Sequence, residues 1–380
     1  MAFLRTYLAD REIQSSNAAT FVSNLPKTGN VSAINVGVRI TNGATSGLEI
    51  IADAIDRIEV LANGSIPIVS MTGRMAYAYA SLMGRRRPSQ SRNESAAAVQ
   101  EAWFLIPFGY TVWDPSLYLD LGRWQSVQLR VTFSPTISAT TFATGTTTFS
   151  VLMYQWSTDS QPGGGRGHIR NTEIFSFTSG ASGDQPVDLP TEFPLLGLLI
   201  FSREAGIAIE TDITRVRLLD KIGGQEIYNR RIEDGMAENH EELGLEAIER
   251  YRALRGDTET LDTDVNFPQS IAQEAIFTQS DANGLVTATW AAQVGDRWTL
   301  SLSEVADAAA STHFTSRTTL TALPLTIVGR GLPHTLYLPM HHWGRPETAY
   351  PANQRDQARL LITQGGAGAT VVVNALQLAP

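Results

Sequence analysis

Matching segments recur in the same order in the two halves of this chain, and this internal repeat restricts the fold more than any other feature. Each copy opens with a Leu-Pro dipeptide, which begins at Leu25 in the first copy and at Leu189 in the second. An apolar stretch and a glycine turn follow in both copies, over residues 55–64 and 213–224. A supersecondary pattern that is used twice indicates two similar units in tandem.

Two further pairs of segments extend the repeat to the end of the chain. A short apolar run ends at Pro107 in one copy and at Pro339 in the other, and a tryptophan and an alternating strand follow it. A glycine-bearing turn and a last strand close each copy, over residues 143–154 and 367–378.

The second copy is longer than the first. The Leu-Pro dipeptides are 164 residues apart, whereas the matching prolines are 232 residues apart. We expect the additional residues to lie in a helical stretch over residues 233–255 and in residues 256–310. The glycine-rich stretch around residue 165 predicts the boundary between the copies.

Most of the periodic segments alternate apolar and polar residues, which is typical of strands with one buried face. The clearest examples are Ile34, Val36, Val38 and Ile40, then Val127, Leu129, Val131 and Phe133, and then Trp298, Leu300 and Leu302. Helical spacing is found only at residues 1–15, at Met71, Met75, Tyr79 and Leu82, and at Leu245, Ile248, Tyr251 and Leu254. Many short strands with isolated helices predict β-sandwiches.

Composition and charge exclude several kinds of protein. The net charge is −9, which disfavours bulk binding to nucleic acid because phosphates repel an acidic chain. The chain has no cysteine, and this excludes disulfides, thiolate metal sites and a cysteine nucleophile. No stretch has the roughly 18 apolar residues of a membrane-spanning helix, and no signal peptide is recognisable, so we expect a protein that is soluble or at most peripheral to a membrane.

The basic residues are almost all arginine. Lysine occurs only at Lys27 and Lys221, so 27 of the 29 basic residues are arginines. Arginine makes bidentate contacts and keeps its charge in partly dry interfaces. Genomic codon bias explains the same preference equally well, and both interpretations stay open.

Motifs that could carry chemistry each have a simpler structural interpretation. His341 and His342 are the only histidine cluster, but neighbours on a strand point to opposite faces, which disfavours a shared metal. Asp262 and Asp264 could bind Ca²⁺, although a solvated loop is the favoured interpretation. Residues 163–165 are glycines without the lysine of a phosphate loop, so they indicate a linker.

Two charged runs remain. Arg85, Arg86 and Arg87, with Arg92 nearby, could contact an anionic membrane surface or nucleic acid, but an exposed interface loop is the favoured interpretation. The acidic run at residues 241–242 is favoured as a solvated helix face over a pair of glycosidase carboxylates. We therefore predict no catalytic, cofactor-binding or metal site.

The Leu-Pro openings, the strand-turn segments 55–64 and 213–224 and the two closing strands together resemble the double jelly-roll major capsid proteins of tailless icosahedral internal-membrane phages and adenovirus-like viruses. The resemblance implies an all-β fold of two tandem jelly-roll β-sandwiches with a few short helices. It also implies pseudo-hexagonal homotrimers that tile an icosahedral virus shell.

The resemblance further implies a domain organisation and a set of partners. We expect an N-terminal arm or short helix over residues 1–20, a first jelly roll over 21–160, a linker over 161–167 and a second jelly roll over 168–380. The expected partners are neighbouring capsomers, minor vertex proteins and an internal membrane that the arm contacts, with no direct contact to nucleic acid. The expected location is the virion, after assembly in the host cytoplasm.

A carbohydrate-binding or carbohydrate-cleaving β-sandwich protein, such as a viral spike or a glycoside hydrolase, is the alternative function. It would account for the strands and for four tryptophans, Trp113, Trp124, Trp290 and Trp343. A protein of this class needs a cleft lined by aromatic side chains on which carboxylates converge.

Overall fold

The computed structural model describes thirteen stretches of the chain. They are residues 3–43, 50–91, 97–136, 142–157, 165–204, 207–220, 225–253, 258–262, 270–273, 286–292, 297–304, 323–354 and 358–380.

The first half of the chain is a jelly roll of two facing sheets. Its strands are β1 Phe3–Gln14, β2 Ala19–Asn24, β3 Asn30–Thr41, β4 Ile55–Ala62, β5 Ile66–Met71, β6 Gln90–Ser91, β7 Val99–Pro107, β8 Leu119–Asp120, β9 Val127–Phe133 and β10 Thr147–Trp156. One sheet has the order β1-β10-β3-β7-β6, with β8 also paired to β3, and the other begins β2-β9-β4-β5.

The second half repeats this topology. Its strands are β11 His168–Thr178, β12 Gly183–Asp188, β13 Leu195–Arg203, β14 Ile213–Leu219 and β15 Glu226–Arg231, followed after an insertion by β22 Thr335–Pro339, β23 Arg359–Gln364 and β24 Thr370–Ala379. The order β11-β24-β13-β22 corresponds to β1-β10-β3-β7, and β12-β23-β14-β15 corresponds to β2-β9-β4-β5. The predicted pair of jelly rolls is therefore confirmed.

Each pair of matching sequence segments occupies matching positions. Leu25 and Leu189 directly follow β2 and β12, and Pro107 and Pro339 end β7 and β22. The strand-turn segments start with β4 and β14. The closing segments contain most of β10 and β24. The repeat seen in the sequence is thus a repeat of structure.

One sheet of the first roll is joined to one sheet of the second. β5 and β11 pair in parallel at Val69 with Asn171 and at Ser70 with Thr172. This short pairing joins β2-β9-β4-β5 and β11-β24-β13-β22 into one eight-stranded sheet. The two strands would otherwise be edges with unpaired backbone groups, which are costly to bury.

Three α-helices are present in the described residues: α1 Gly73–Gly84, α2 Ile209–Asp212 and α3 Ile232–Leu243. Short 3-10 helices occur at Ile51–Ala54, Leu121–Arg123, Pro346–Thr348 and Ala352–Gln354. The helical spacing of Met75, Tyr79 and Leu82 is confirmed as α1, which starts after the N-cap Thr72, whereas Met71 ends β5. α1 follows β5 and α3 follows β15, so the two helices are also counterparts in the repeat.

The helix predicted around Ile248 is wrong. α3 ends at Leu243 because Gly244 adopts a left-handed conformation, with φ of 62°, that only glycine adopts without cost. Residues 246–253 then form a strand, and antiparallel pairing with a later strand satisfies their backbone groups. Leu254 lies outside the described residues.

The extra residues of the second roll lie between α3 and β22. The predicted range, residues 233–310, covers most of them but begins inside α3, which has its counterpart in α1, and ends before β21. They contain β16 Glu246–Ala253, β17 Thr258–Asp262, β18 Ser270–Gln273, β19 Val286–Ala292, β20 Arg297–Glu304 and β21 Leu323–Arg330. These strands form two three-stranded sheets, β16-β21-β18 and β17-β20-β19. β20 contains the alternating segment that starts at Trp298.

The prediction of an N-terminal arm or short helix outside the first roll is wrong for residues 3–14. They form β1, which pairs antiparallel with β10 from Phe3 with Trp156 to Gln14 with Thr147. Its side chains gave no period-two signal because Ala9 is its only fully buried residue. The hydrogen bonds to β10 fix the strand instead.

Alternating side chains fill the core of the first roll, as the sequence predicted. Ile34, Val36, Val38 and Ile40 are completely buried in β3. In the second roll, Leu195, Leu198 and Ile200 of β13 enter the core without strict alternation, because β13 is buried along nearly its whole length. Each such side chain contributes roughly 1.5–3 kcal/mol through removal from water.

Candidate assembly interface

The two rolls are joined by a buried polar network at the β5–β11 junction. Asn374 of β24 donates its amide to the Ser70 carbonyl at 3.1 Å and to Asn171 Oδ1 at 3.0 Å. Asn171 donates in turn to the Met71 sulfur at 3.0 Å. Both asparagines are fully buried, so their partners must be kept in place. The network fixes one relative position of the rolls.

Arginines cross the junction on both sides of this network. Arg57 donates to Glu173 Oε2 at 2.8 Å. Arg203 donates to Asp53 Oδ1 at 3.3 Å, and Asp53 also accepts a bidentate pair of bonds from Arg74. These pairs are arginine contacts across a partly dry interface within one chain, which is one of the two open interpretations of the arginine preference.

The arginine run after α1 also joins the two rolls. Arg85 donates to the carbonyl of Leu243, at the C-terminal end of α3, and its guanidinium lies 4.4 Å from the ring centre of Trp343. Arg87 donates to the Ile248 carbonyl at 2.8 Å. An interface role was the favoured interpretation of this run, and Arg85 and Arg87 act between rolls. Arg86 is exposed, and Arg92 lies outside the described residues.

Aromatic side chains from both rolls pack beside Arg85. Tyr110 of the first roll stacks on His341 with ring centres 5.3 Å apart, and it meets Trp343 edge-on at 5.5 Å. His341 Nδ1 lies 2.6 Å from the Leu196 carbonyl, which fixes the ring as a donor there. Burial lowers the pKa of His341 despite this bond. Of the two neighbouring histidines, His341 thus lies in the interface between the rolls, whereas His342 is exposed on a loop.

A second histidine is buried at the start of β11. Burial, followed by the nearby charges of Arg123 and Arg170, lowers the pKa of His168 to about 4. The ring is therefore neutral at physiological pH, which agrees with its 5% exposure.

The outer face of the sheet β1-β10-β3-β7 carries a cleft of about 690 Å³. Its floor is formed by half-buried side chains of three adjacent strands, and its walls come from β1, from the loop after β7 and from the segment after α1. The side chains that give it its chemistry are Arg5, Arg86, Arg87, Trp103, Trp113 and Tyr154. No carboxylate is found among the described lining residues.

Local packing shapes the floor of this cleft. Trp103 lies flat over Gly37, where a Cβ would approach the indole ring to 2.8 Å. At the rim, Trp113 is 53% exposed and contacts Phe3 with a ring separation of 4.3 Å. Arg5 lies 5.7 Å from the ring centres of both Trp113 and Tyr154. The cleft is therefore aromatic and cationic.

Two edge strands expose apolar side chains. β1 is the last strand of its sheet and exposes Leu4, Tyr7 and Ile13 by 45%, 58% and 68%. β15 is the last strand of its sheet and exposes Ile227 by 44%. These four are half of the eight large apolar side chains that are strongly exposed in the described residues. Such an edge favours pairing with another chain.

The remaining candidate residues are dispersed. Asp262 ends β17, whereas Asp264, Gly163 and Gly164 lie outside the described residues. Among the residues that the structure describes, no three His, Asp or Glu side chains come together as a metal site requires. No helix in the same part of the chain is long and apolar enough to cross a membrane.

Sequence reasoning did not find the cleft or the β5–β11 junction. The acidic run at residues 241–242 was found and lies in the last turn of α3, exposed as predicted. A signal for part of the cleft did exist, because Trp103 and Trp113 belong to a segment of the repeat, whereas Arg5 precedes the repeat. Their proximity depends on pairing between β1 and β10, which lie far apart in sequence.

Comparison with known proteins agrees with this architecture. The sequence matches no protein-family profile and no curated protein. The structure is similar over 100% of the chain to the STIV MCP, with a TM-score of 0.55 and 10% identity over 98% of that protein. It is similar over 100% of the chain to a chain of Sulfolobus Turreted Icosahedral Virus, with a TM-score of 0.53 and 10% identity over 91% of that chain.

A third similar structure is the major capsid protein P2 from bacteriophage PM2. Its TM-score is 0.52 at 9% identity, and the match covers 99% of this chain and 98% of that protein. At these identities the similarity establishes a shared fold. This chain thus has the double jelly-roll fold of these viral capsid proteins, as its internal repeat predicted.

Proposed function

We propose that this chain is a major capsid protein and that three copies form a pseudo-hexagonal capsomer of an icosahedral shell. The observation that carries the proposal is the fusion of two rolls with one strand order into a single block, over the full length that the solved capsid proteins share. Three such chains supply six similar units around one axis, and a hexagonal outline tiles a surface without gaps.

Surfaces, rather than a catalytic centre, carry this function. Exposed apolar side chains on edge strands are a hazard in a monomer but suit a chain that is covered on assembly. The carbohydrate alternative receives no support from the cleft: it has the required aromatic side chains, but arginines stand where a glycosidase needs carboxylates. We accordingly propose that the protein is not an enzyme.

The proposal includes the other components of the particle. Neighbouring capsomers and minor vertex proteins complete the shell, and the protein resides in the virion after assembly in the host cytoplasm. Residues 3–14 pair within the first sheet, so they do not serve as a free arm toward a membrane. We further propose a linker at residues 161–167; β10 ends at Trp156 and β11 starts at His168, which supports this boundary.

The mass of the purified protein in solution tests the proposal. A capsid protein of this type should be a stable trimer with three times the 41.3 kDa of the chain, and electron microscopy should show hexagonal particles. A stable monomer that binds or cleaves a glycan would replace the capsid assignment with the carbohydrate alternative.

A further inference from the structure

The surfaces through which the two rolls contact each other have equivalents elsewhere in the chain, and these equivalents are not paired with each other within the chain. α1 packs against β4, β5 and β7 of its own roll, and α3 packs against the equivalent strands β14, β15 and β22. α1 also contacts β13 of the second roll. The strand equivalent to β13 is β3, and among the described residues α3 packs less closely on β3 of its own chain than α1 packs on β13.

From this asymmetry we infer that α3 and β15 of one chain dock on the cleft and on β1 of a second copy, repeating the α1–β13 and β5–β11 contacts between chains. The inference rests on the proposed trimer and names the surfaces that would hold it together. Repeated around the axis, the contact joins the second roll of each chain to the first roll of the next and closes the ring.

The two helices match position by position. Both have 12 residues, and both end at a C-cap in the left-handed conformation, Arg85 in α1 and Gly244 in α3. Counting back from these caps aligns Met75, Ala78, Tyr79 and Leu82 with Asp234, Ala237, Glu238 and Glu241. In α1 these four positions are completely buried, whereas in α3 the acidic ones are exposed or half-exposed.

Charge complementarity favours this occupant of the cleft. The exposed stripe of α3 carries Asp234, Glu238 and Glu241, and Glu238 already pairs with Arg230. The cleft presents Arg5 and Arg86 without a carboxylate among its described lining residues. An acidic helix on a cationic face therefore replaces the apolar packing that α1 makes within the chain.

The matching prolines give the register of the strand contact. In the first roll, Pro107 pairs with Ala33, Ala33 with Tyr154, and Tyr154 with Arg5.

The same path across the second roll runs from Pro339 to Gly197, then to Leu376, and ends at Asn171. Arg5 therefore corresponds to Asn171, and Thr6 corresponds to Thr172.

The other strand of the contact is aligned through the helix starts. Val69 and Ser70 lie three and two residues before the N-cap of α1, and Tyr228 and Asn229 lie at the same distances before the N-cap of α3. Since Val69 and Ser70 pair with Asn171 and Thr172, residues 228 and 229 of one chain should pair in parallel with residues 5 and 6 of the next.

Disulfide cross-linking tests this register, since the chain has no cysteine of its own. Neighbours on paired strands are within the roughly 4.4–6.8 Å between Cα atoms that a disulfide needs. The double variant Thr6→Cys/Asn229→Cys should form, on mild oxidation, covalent dimers and trimers that a thiol reductant dissolves.

Two matched controls define the outcome. Ser70→Cys/Thr172→Cys should link within one chain and leave its mass unchanged. Glu12→Cys/Asn229→Cys places an equally exposed cysteine on the same strand but roughly 20 Å away along it, and should not link chains. Trimers without a link in the Thr6 variant, or with a link only in the Glu12 variant, would overturn the inference and leave the capsid proposal standing. A monomer would overturn both.

A charge reversal on α3 gives an independent readout. Glu241→Lys should raise the trimer dissociation constant about tenfold, because it places a cation against Arg5 and Arg86. Lysine in the last turn suits the helix dipole, so α3 itself should remain folded. Arg86→Glu should restore affinity in the double variant, and Asp188→Lys, a reversal at another exposed acid, should change nothing. The contact would be contradicted if Arg86→Glu did not restore affinity and if Glu241→Lys and Asp188→Lys weakened the trimer equally.

Discussion

The helices α1 and α3 occupy the same position in two rolls of one topology, yet they present opposite surfaces. The stripe of α1 that contains Tyr79 is completely buried, and α1 contacts a strand of the second roll as well as its own. The equivalent stripe of α3 contains Glu238 and Glu241 and faces outward.

The difference between the two stripes indicates at which stage, folding or assembly, each helix surface is covered. The face of α1 is buried as the chain folds, so apolar residues stabilise it without a risk of aggregation. On the contact proposed above, the face of α3 stays in water until another chain docks on it, and its acidic residues keep it soluble until then. One architecture can thus hold a permanent joint and an assembly surface at equivalent positions.

The largest expected effect separates the two stripes directly. Tyr79→Ala should lower the free energy of unfolding by about 4 kcal/mol, because it empties a fully buried site and leaves the Pro107 carbonyl without the donor that lies 2.9 Å away. The equivalent change in α3, Glu238→Ala, should cost less than about 1 kcal/mol. Urea unfolding of both variants measures the contrast, and equal losses would abolish the distinction between the helices.

The ion cluster of Asp53, Arg74 and Arg203 beside the β5–β11 junction should give the second largest effect. Asp53→Ala should lower the free energy of unfolding by about 3 kcal/mol, because it leaves the largely buried Arg74 and Arg203 without the carboxylate that both contact. Asp188→Ala removes a carboxylate that is 70% exposed and should cost less than about 1 kcal/mol. Similar unfolding midpoints for both variants would show that the arginines at the joint contribute no more than a surface pair.

Acid can act through histidine only from residues of the second roll, since residues 1–167 contain no histidine. His168 has a pKa of about 4 in the folded chain and about 6.5 when unfolded, so only the unfolded chain takes up its proton between these values. The contribution of His168 to the free energy of unfolding is fully present above about pH 6.5. It declines as the pH falls and is about 2 kcal/mol smaller at pH 5.

The variant His168→Gln should flatten this dependence. Urea unfolding of both proteins at several values between pH 7.5 and pH 5 isolates the difference, because the carboxylates are common to both. A slope that is unchanged in the variant would show that His168 is accessible to protons in the folded chain.

The smallest expected contrast concerns two tryptophans that the repeat aligns. Trp343 packs under Arg85 and against Tyr110, so Trp343→Ala should cost about 1–2 kcal/mol in the isolated chain. Trp113 is 53% exposed, and Trp113→Ala should cost less than about 1 kcal/mol there. If Trp113→Ala instead weakens the trimer more than it weakens the fold, the side chain belongs to the surface between chains. An equal loss in chain stability for both variants would contradict the difference.

Much of the fold could be read from local patterns. Strands with one fully buried face, such as β3 and β9, alternate clearly because each second side chain enters the core. The start of α1 after Thr72 follows from helical spacing and a capping residue. β1 was missed because its exposed side chains do not alternate, and β16 was missed because the apolar residues in and around it have helical spacing.

Local sequence patterns predict the two rolls, their order and most of the insertion, since these depend on which residues must leave water and on how often that pattern recurs. How the rolls meet is visible only in the folded chain. The β5–β11 pairing, the contact of Arg203 with Asp53 and the cleft beside Arg5 each bring together residues far apart in the chain. Such contacts depend on long-range strand pairing, and local hydrophobic periods carry no information about which edges will meet.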